Sequence, residues 1–281
     1  AFLNHSLCDK LLTDPQCWLA AIFNALHTIE YDGIQLLTND QIHSGVELSQ
    51  QVKQALKFLG DRSPEDPAAT VHLDLQALGF EPGWGNTIVR VSETLELLNR
   101  LIDDPEPAIL EAFVSRVPAV FRVVLISIHG WVGQADVMGR SETRSQVAYV
   151  LEQAASLEQQ LRAELQQAGL DLLGIQPQVI VLTRLIPNCT ETQCSLPFEQ
   201  IDGTENAWIL RVPFQEFNPH VTQHWISKFE IWPYLESFAN DAEPALLAHL
   251  GGRPNLIIGH YSDGNLVASI LARRFRAIQC N

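Results

Sequence analysis

Two short stretches of this 281-residue chain carry side chains in a pattern suited to holding a polar ligand. Ser127-Ile128-His129-Gly130-Trp131 places an imidazole beside a glycine at the end of an apolar run. Gly139–Gln146, reading GRSETRSQ, then leads into a long amphipathic stretch. An imidazole at a strand end can donate a hydrogen bond to a sugar hydroxyl. The start of the following helix offers free backbone N–H groups and a favourable dipole to an anion. Each position also has a plainer reading. Position alone favours His129 as a partly buried histidine that closes a strand. Thr143-Arg144-Ser145-Gln146 matches the T-x-x-Q capping box, in which Gln146 reaches back to the cap backbone, and the residues alone favour that role over sugar binding.

Other chemistry-bearing residues lead less far. Cys8, Cys17, Cys189, Cys194 and Cys280 are odd in number and thinly spread, unlike a disulfide framework. Cys189 and Cys194 form a C-x4-C pair without a second pair of Cys or His at finger-like spacing, so no structural zinc is expected. His220 and His224 would share a helix face, yet Pro219 and polar neighbours point to a loop or helix start, and no metal is expected there either. With 33 acidic and 18 basic residues the net charge is −15. That balance argues against general nucleic-acid or anionic-membrane binding, while leaving a local anion site open. No run of about 18 apolar residues predicts a membrane span. The chain opens Ala1-Phe2-Leu3-Asn4, with neither Met nor a basic region before an apolar stretch. It is not a signal peptide and reads as a start inside a longer chain. A cytoplasmic protein with reduced thiols is expected.

The elements that must position these residues change character near Pro118. Before it, Leu48, Val52, Leu56 and Leu59, then Val91, Leu95, Leu98 and Leu101, recur at helical spacing. Proline-rich and acidic breaks at Ser63–Pro67 and Asp103–Pro107 separate them, and the pattern predicts a helical bundle. After Pro118, short apolar runs at Arg122–His129, Val179–Leu185, Trp208–Phe214 and Asn255–Tyr261 predict buried parallel strands. Val147, Val150, Leu151, Ala154, Leu157, Leu161 and Leu165 form one stripe of a helix that stops at Gly169. Lys228–Leu250 is helical in pattern, interrupted by Pro233 and Pro244, and another helix begins at Asp263. This order is the grammar of a doubly wound sheet, with a further strand starting near Cys280-Asn281. The expected class is α/β: a helical domain over residues 1–117, then an incomplete Rossmann-like parallel sheet over 118–281.

Several blocks are specific enough to suggest a family. Ser127–Gly139 followed by Gln146-Val147-Ala148-Tyr149-Val150-Leu151 resembles a segment reading S-P-H-G…L-G-x-P-D-T-G-G-Q-V-V-Y-x-L-D-Q. In order there follow Leu182–Pro187, Ile209–Phe214, Trp225–Glu236 (WISKFEIWPYLE) and Leu256–Ala268 (LIIGHYSDGNLVA). Phe2-Leu3-Asn4, Leu37–Ile42 and Gly83-Trp84-Gly85-Asn86-Thr87 match as well. Together they make the chain similar to the sucrose synthases over essentially its whole length.

That resemblance implies a glycosyltransferase with two Rossmann-like lobes in the GT-B arrangement. It transfers a glucosyl group with retention between a nucleoside diphosphate, UDP or ADP, and fructose, making or cleaving sucrose, without metal or other cofactor. The match covers the helical domain and most of the first lobe. The donor lobe and an acceptor-site histidine lie outside it, so the catalytic residues stay unassigned and the segment alone is expected to be inactive. The resemblance assigns His129 and Gln146 to sugar binding. It assigns the two residues before Gln146 to the donor phosphates, where the family has Gly-Gly and this chain has Arg144 and Ser145. Glycine suits that place by letting phosphate approach the backbone N–H groups. Arg144 either pairs with phosphate or obstructs it. A homo-oligomer is implied, and a non-catalytic binding or assembly module derived from a sucrose synthase is the competing reading.

Overall fold

The computed structural model describes residues 15–137, 140, 146–189, 191–215 and 218–281. It divides into two compact units, one comprising residues up to Ala119 with Ala163–Ile175, the other Val120–Arg162 with Gln176–Asn281.

The first unit is helical. Helices α1 (Pro15–His27), α2 (Gly45–Gly60), α3 (His72–Ala77), α4 (Ile88–Asp103) and α5 (Pro107–Val114) surround one apolar core, with a two-residue hairpin, β1 (Glu30–Tyr31) and β2 (Ile34–Gln35), after α1. Leu48, Val52 and Leu59 of α2 meet Val91, Leu95, Leu98 and Leu101 of α4 in that core, so the helical spacing read from sequence is the buried face. Two helix starts are fixed locally. Ser44 Oγ accepts from Glu47 N–H at 3.2 Å while Glu47 accepts from His43 N–H at 2.8 Å, and Thr87 Oγ1 accepts from Arg90 N–H at 3.4 Å. The indole N–H groups of Trp18 and Trp84 donate to the Leu101 and Leu37 carbonyls, both at 2.8 Å. Neither buried indole is left without an acceptor.

The second unit is a three-layer α/β domain. Its strands are β3 (Arg122–Ile126), β4 (Gln178–Arg184), β5 (Phe198–Gln200), β6 (Ala207–Val212), β7 (Leu256–Gly259) and β8 (Ile278–Cys280), in the order β5-β6-β4-β3-β7-β8. All pairs are parallel except β5 on β6. The four strands read from the sequence are all parallel, as expected, and the short β5 adds one antiparallel edge. Alternate residues face opposite layers. Val123, Leu125, Val179, Val181 and Ile209 pack with α6 (Gln146–Ala168). Val124, Ile126, Ile180, Leu182 and Leu210 pack with α8 (Leu235–Leu250) and α9 (Tyr261–Phe275). A one-turn helix, α7 (Pro219–Thr222), lies between β6 and α8. Helix α8 starts at Leu235, later than the pattern from Lys228 suggested, because a 3₁₀ turn with Pro233 occupies Trp232–Tyr234. Pro244 is carried inside the helix. Residues 163–168 of α6 belong to the first unit.

No helix among the described residues is long and apolar enough to cross a membrane.

Candidate functional site

The chain runs outward from β3 to β4 and β6, then returns through α8 to place β7 on the other side of β3. That reversal opens a crevice beyond the carboxyl ends of β3 and β7, where ligands of doubly wound sheets bind. Of the residues predicted from sequence, His129 and Gln146 follow β3 at this end of the sheet.

Strand β3 ends at Ile126, three residues earlier than the apolar run suggested. The last ladder contacts are His260 N–H to the Ile126 carbonyl at 2.9 Å and Ser127 N–H to the Leu182 carbonyl at 3.1 Å. Beyond them the backbone turns to a side chain: His129 N–H donates to Asp263 Oδ2 at 3.2 Å. The imidazole meets the same carboxylate, with Nδ1 2.9 Å from Oδ2 and 3.0 Å from Oδ1. Each of the two residues is 3% exposed. A carboxylate oxygen accepts, so Nδ1 is the nitrogen that donates, and the contact fixes the orientation of the ring. Gly130 follows at φ +86°, a turn that favours glycine.

Asp263 reaches His129 because α9 sits close on the sheet. A Cβ on Gly264 would lie 2.5 Å from the Ile126 carbonyl oxygen, and one on Gly259 would collide with Asn265 Oδ1. Tyr261, at the first position of α9, holds φ +59° without being glycine. Its ring meets the His129 ring edge-to-face at 4.9 Å. A bulky side chain in the left-handed region stores backbone strain, a feature concentrated at ligand sites.

Gln146, the first residue of α6, donates through Nε2 to Ser127 Oγ at 3.1 Å, so its side chain engages the strand end. It lines a cleft of about 370 Å³ with Tyr149, Gly259, His260, Tyr261 and Asn265. The Tyr149 ring stands edge-on to His260 at 6.0 Å. Burial lowers the His260 pKa, favouring the neutral ring. Thr143, Arg144 and Ser145 lie outside the described residues. His129 meets the Tyr261 ring edge-to-face, and Gln146 stands in the cleft wall, bonded to Ser127.

Sequence reading missed Asp263. It stood inside the quoted LIIGHYSDGNLVA block without a role, and the only local hint was an acidic residue in the first turn of a helix following a strand. His260, Tyr261 and Asn265 were likewise unassigned. The pairs considered for metal lead elsewhere. Cys194 is buried, and burial raises its thiol pKa. The His224 carbonyl accepts from Arg184 Nη1 at 3.1 Å. Among the described residues no group of three or more His, Cys, Asp or Glu is placed to hold a metal.

Comparison with known proteins bears on what this crevice belongs to. Residues 108–281 match the family model described as "Sucrose synthase first GT-B domain", and residues 1–86 match "Sucrose synthase EPBD domain". A sucrose synthase from Thermosynechococcus vestitus is 58% identical over 280 residues, covering 100% of this chain and 35% of that protein. One from Melioribacter roseus is 44% identical over 279 residues, covering 99% of this chain and 35% of its own length. Sucrose synthase 2 from Arabidopsis thaliana is 41% identical over 280 residues, covering 100% of this chain and 34% of that protein. The chain thus spans about a third of the length of the curated relatives it matches.

Proposed function

The chain belongs to the sucrose synthase family, and from that premise we propose that it supplies the sugar-binding wall of a glucosyltransferase interconverting sucrose plus a nucleoside diphosphate with nucleoside-diphosphate glucose plus fructose. The observation that supports this reading is a cleft lined by Gln146, His260 and Tyr261, with the buried His129–Asp263 pair in ring contact with Tyr261.

In the cleavage direction the bond between the glucosyl anomeric carbon and the fructosyl oxygen breaks, a bond from that carbon to a terminal phosphate oxygen forms, and fructose leaves with a proton on its hydroxyl. His129 and Gln146 hold the sugar, and the Asp263 carboxylate keeps the imidazole in one orientation. Positioning and charge stabilisation carry the rate, with the diphosphate assisting the proton transfer. Arg144 and Ser145 stand where the family has its phosphate-facing glycines. The nucleoside diphosphate is UDP or ADP, the protein works in the cytoplasm as a homo-oligomer, and these 281 residues alone lack turnover because they match only about a third of the relatives' length.

The second reading, a binding or assembly module without catalysis, is favoured by Arg144-Ser145 in place of Gly-Gly. One experiment separates the two. The corresponding segment of the Thermosynechococcus enzyme is replaced by this chain, and fructose release from sucrose is followed with UDP and with ADP. Turnover in the parent chimera, reduced about 100-fold or more by His129→Ala, supports the enzyme. Unchanged activity in both His129→Ala and Gln146→Ala would remove these residues from the site. If the parent is inactive but the Arg144→Gly/Ser145→Gly variant turns over, the binding-module reading holds for the natural sequence.

A further inference from the structure

We propose that Arg211, paired with Glu199, is a positioning residue for the reaction: it pins the Val132 carbonyl and thereby fixes the path of residues 130–137, which follow His129. Its catalytic part rests on the function proposed above; its structural part does not.

Arg211 lies near the carboxyl end of β6, and its side chain is 0% exposed. The guanidinium serves three separate segments. Nε and Nη2 donate to the Val132 carbonyl at 3.2 and 2.9 Å, and Nη1 donates to the Leu196 carbonyl at 3.1 Å. Nη2 also pairs with the Glu199 carboxylate on β5. The other Glu199 oxygen accepts from Gln134 Nε2 at 2.6 Å. Gln134 is tied once more, donating to the Gln200 carbonyl at 3.1 Å and accepting from Asp202 N–H at 2.7 Å. The loop leaving His129 is thus held at Val132 by a cation and at Gln134 by that cation's counter-ion. Between them Gly133 allows no side chain, since a Cβ would lie 2.8 Å from Val137 Cγ1.

Stability is a poor reason for such a pair. Burying two charges is costly, and well-packed apolar residues of similar volume often serve the fold as well or better. What an apolar pair cannot do is grip two carbonyls and a carboxylate at once. A lysine cannot either, because its three donors radiate from one point and do not form a planar fork. The arrangement therefore specifies geometry, and the geometry it specifies is that of the segment that leaves His129, one of the two proposed sugar-binding residues.

The test has two arms. In the 281-residue chain, amide exchange of residues 130–137 is compared with that of β3 and β4 in Arg211→Lys and in the double variant Arg211→Met/Glu199→Leu. Loop amides, including Val137 whose N–H bonds the Gln134 carbonyl at 3.4 Å, are expected to exchange about tenfold faster or more while the strands keep their protection. In the chimera, both variants are expected to lose about tenfold or more in kcat at nearly unchanged thermal midpoint, with Arg211→Lys recovering only part. If the double variant does not fold, Arg211→Lys carries the comparison. Unchanged loop exchange overturns the anchor. A loosened loop with parental kcat overturns the positioning role alone. An inactive parent chimera speaks against the proposed function and leaves the exchange arm decisive for the anchor.

Discussion

His260 and His129 are close in space and electrostatically unlike. His129 has a carboxylate on its Nδ1, whereas His260 is packed beside Tyr149 and burial lowers its pKa below the ordinary 6.5. The unfolded chain takes up a proton at His260 near pH 6.5, and the folded chain only at lower pH. Stability is therefore lost as pH falls below about 6.5, and nothing from this residue changes above it. The His260→Asn variant is expected to show a flatter dependence of denaturant stability on pH between about 6.5 and 5, with equal slopes above 7. Identical slopes in variant and parent across the acid range would show that the ring is not desolvated in the folded state.

At the scale of elements, the distance between α9 and β3 decides whether Asp263 meets His129. Glycine to alanine inside a helix ordinarily stabilises by about 0.5–1 kcal/mol. At Gly264 the new methyl would lie 2.5 Å from the Ile126 carbonyl, and backbone cannot yield as a flexible side chain does. Gly264→Ala is expected to reverse the usual sign and cost about 1–3 kcal/mol, measured by urea titration. The elements themselves were largely legible. Periodicity gave the α2 and α4 faces, and four apolar runs located β3, β4, β6 and β7 to within a few residues of their ends. All four runs were read past the ends of their strands, by one to three residues and furthest at His129, because hydrophobicity persists past the last ladder bond. The short strand β5 has no apolar run of its own: Phe198, Glu199 and Gln200 form it by pairing with β6, which no local pattern reports. The His129–Asp263 contact joins residues 134 apart in sequence. Spacing rules act over one or two helical turns and have no purchase at that range.

For the whole molecule, the two edges of the sheet are treated differently. On one side β5 is three residues long and turns Glu199 inward to Arg211, a device that discourages pairing with another chain. On the other side β8 exposes all three residues, with Ile278 65% exposed. The 281-residue chain, kept reduced because Cys280 is also exposed, is expected to associate as its concentration rises. Ile278→Lys should diminish that association in light scattering. Equal monodispersity of parent and variant over a wide concentration range would show that this edge does not drive contact between copies.

The place of β3 in the middle of the sheet also bears on how the protein is made. Its last neighbour arrives late: Arg122 N–H bonds the Asn255 side chain, 133 residues further along. At roughly 5–20 residues per second, the ribosome needs about 7–27 s to produce that stretch. During the interval Val123-Val124-Leu125-Ile126, destined for burial on both faces, has at best β4 beside it. Such a run is what a chaperone binds on a nascent chain, and depletion of ribosome-associated chaperones should reduce the soluble yield of this protein more than that of a helical one of equal length.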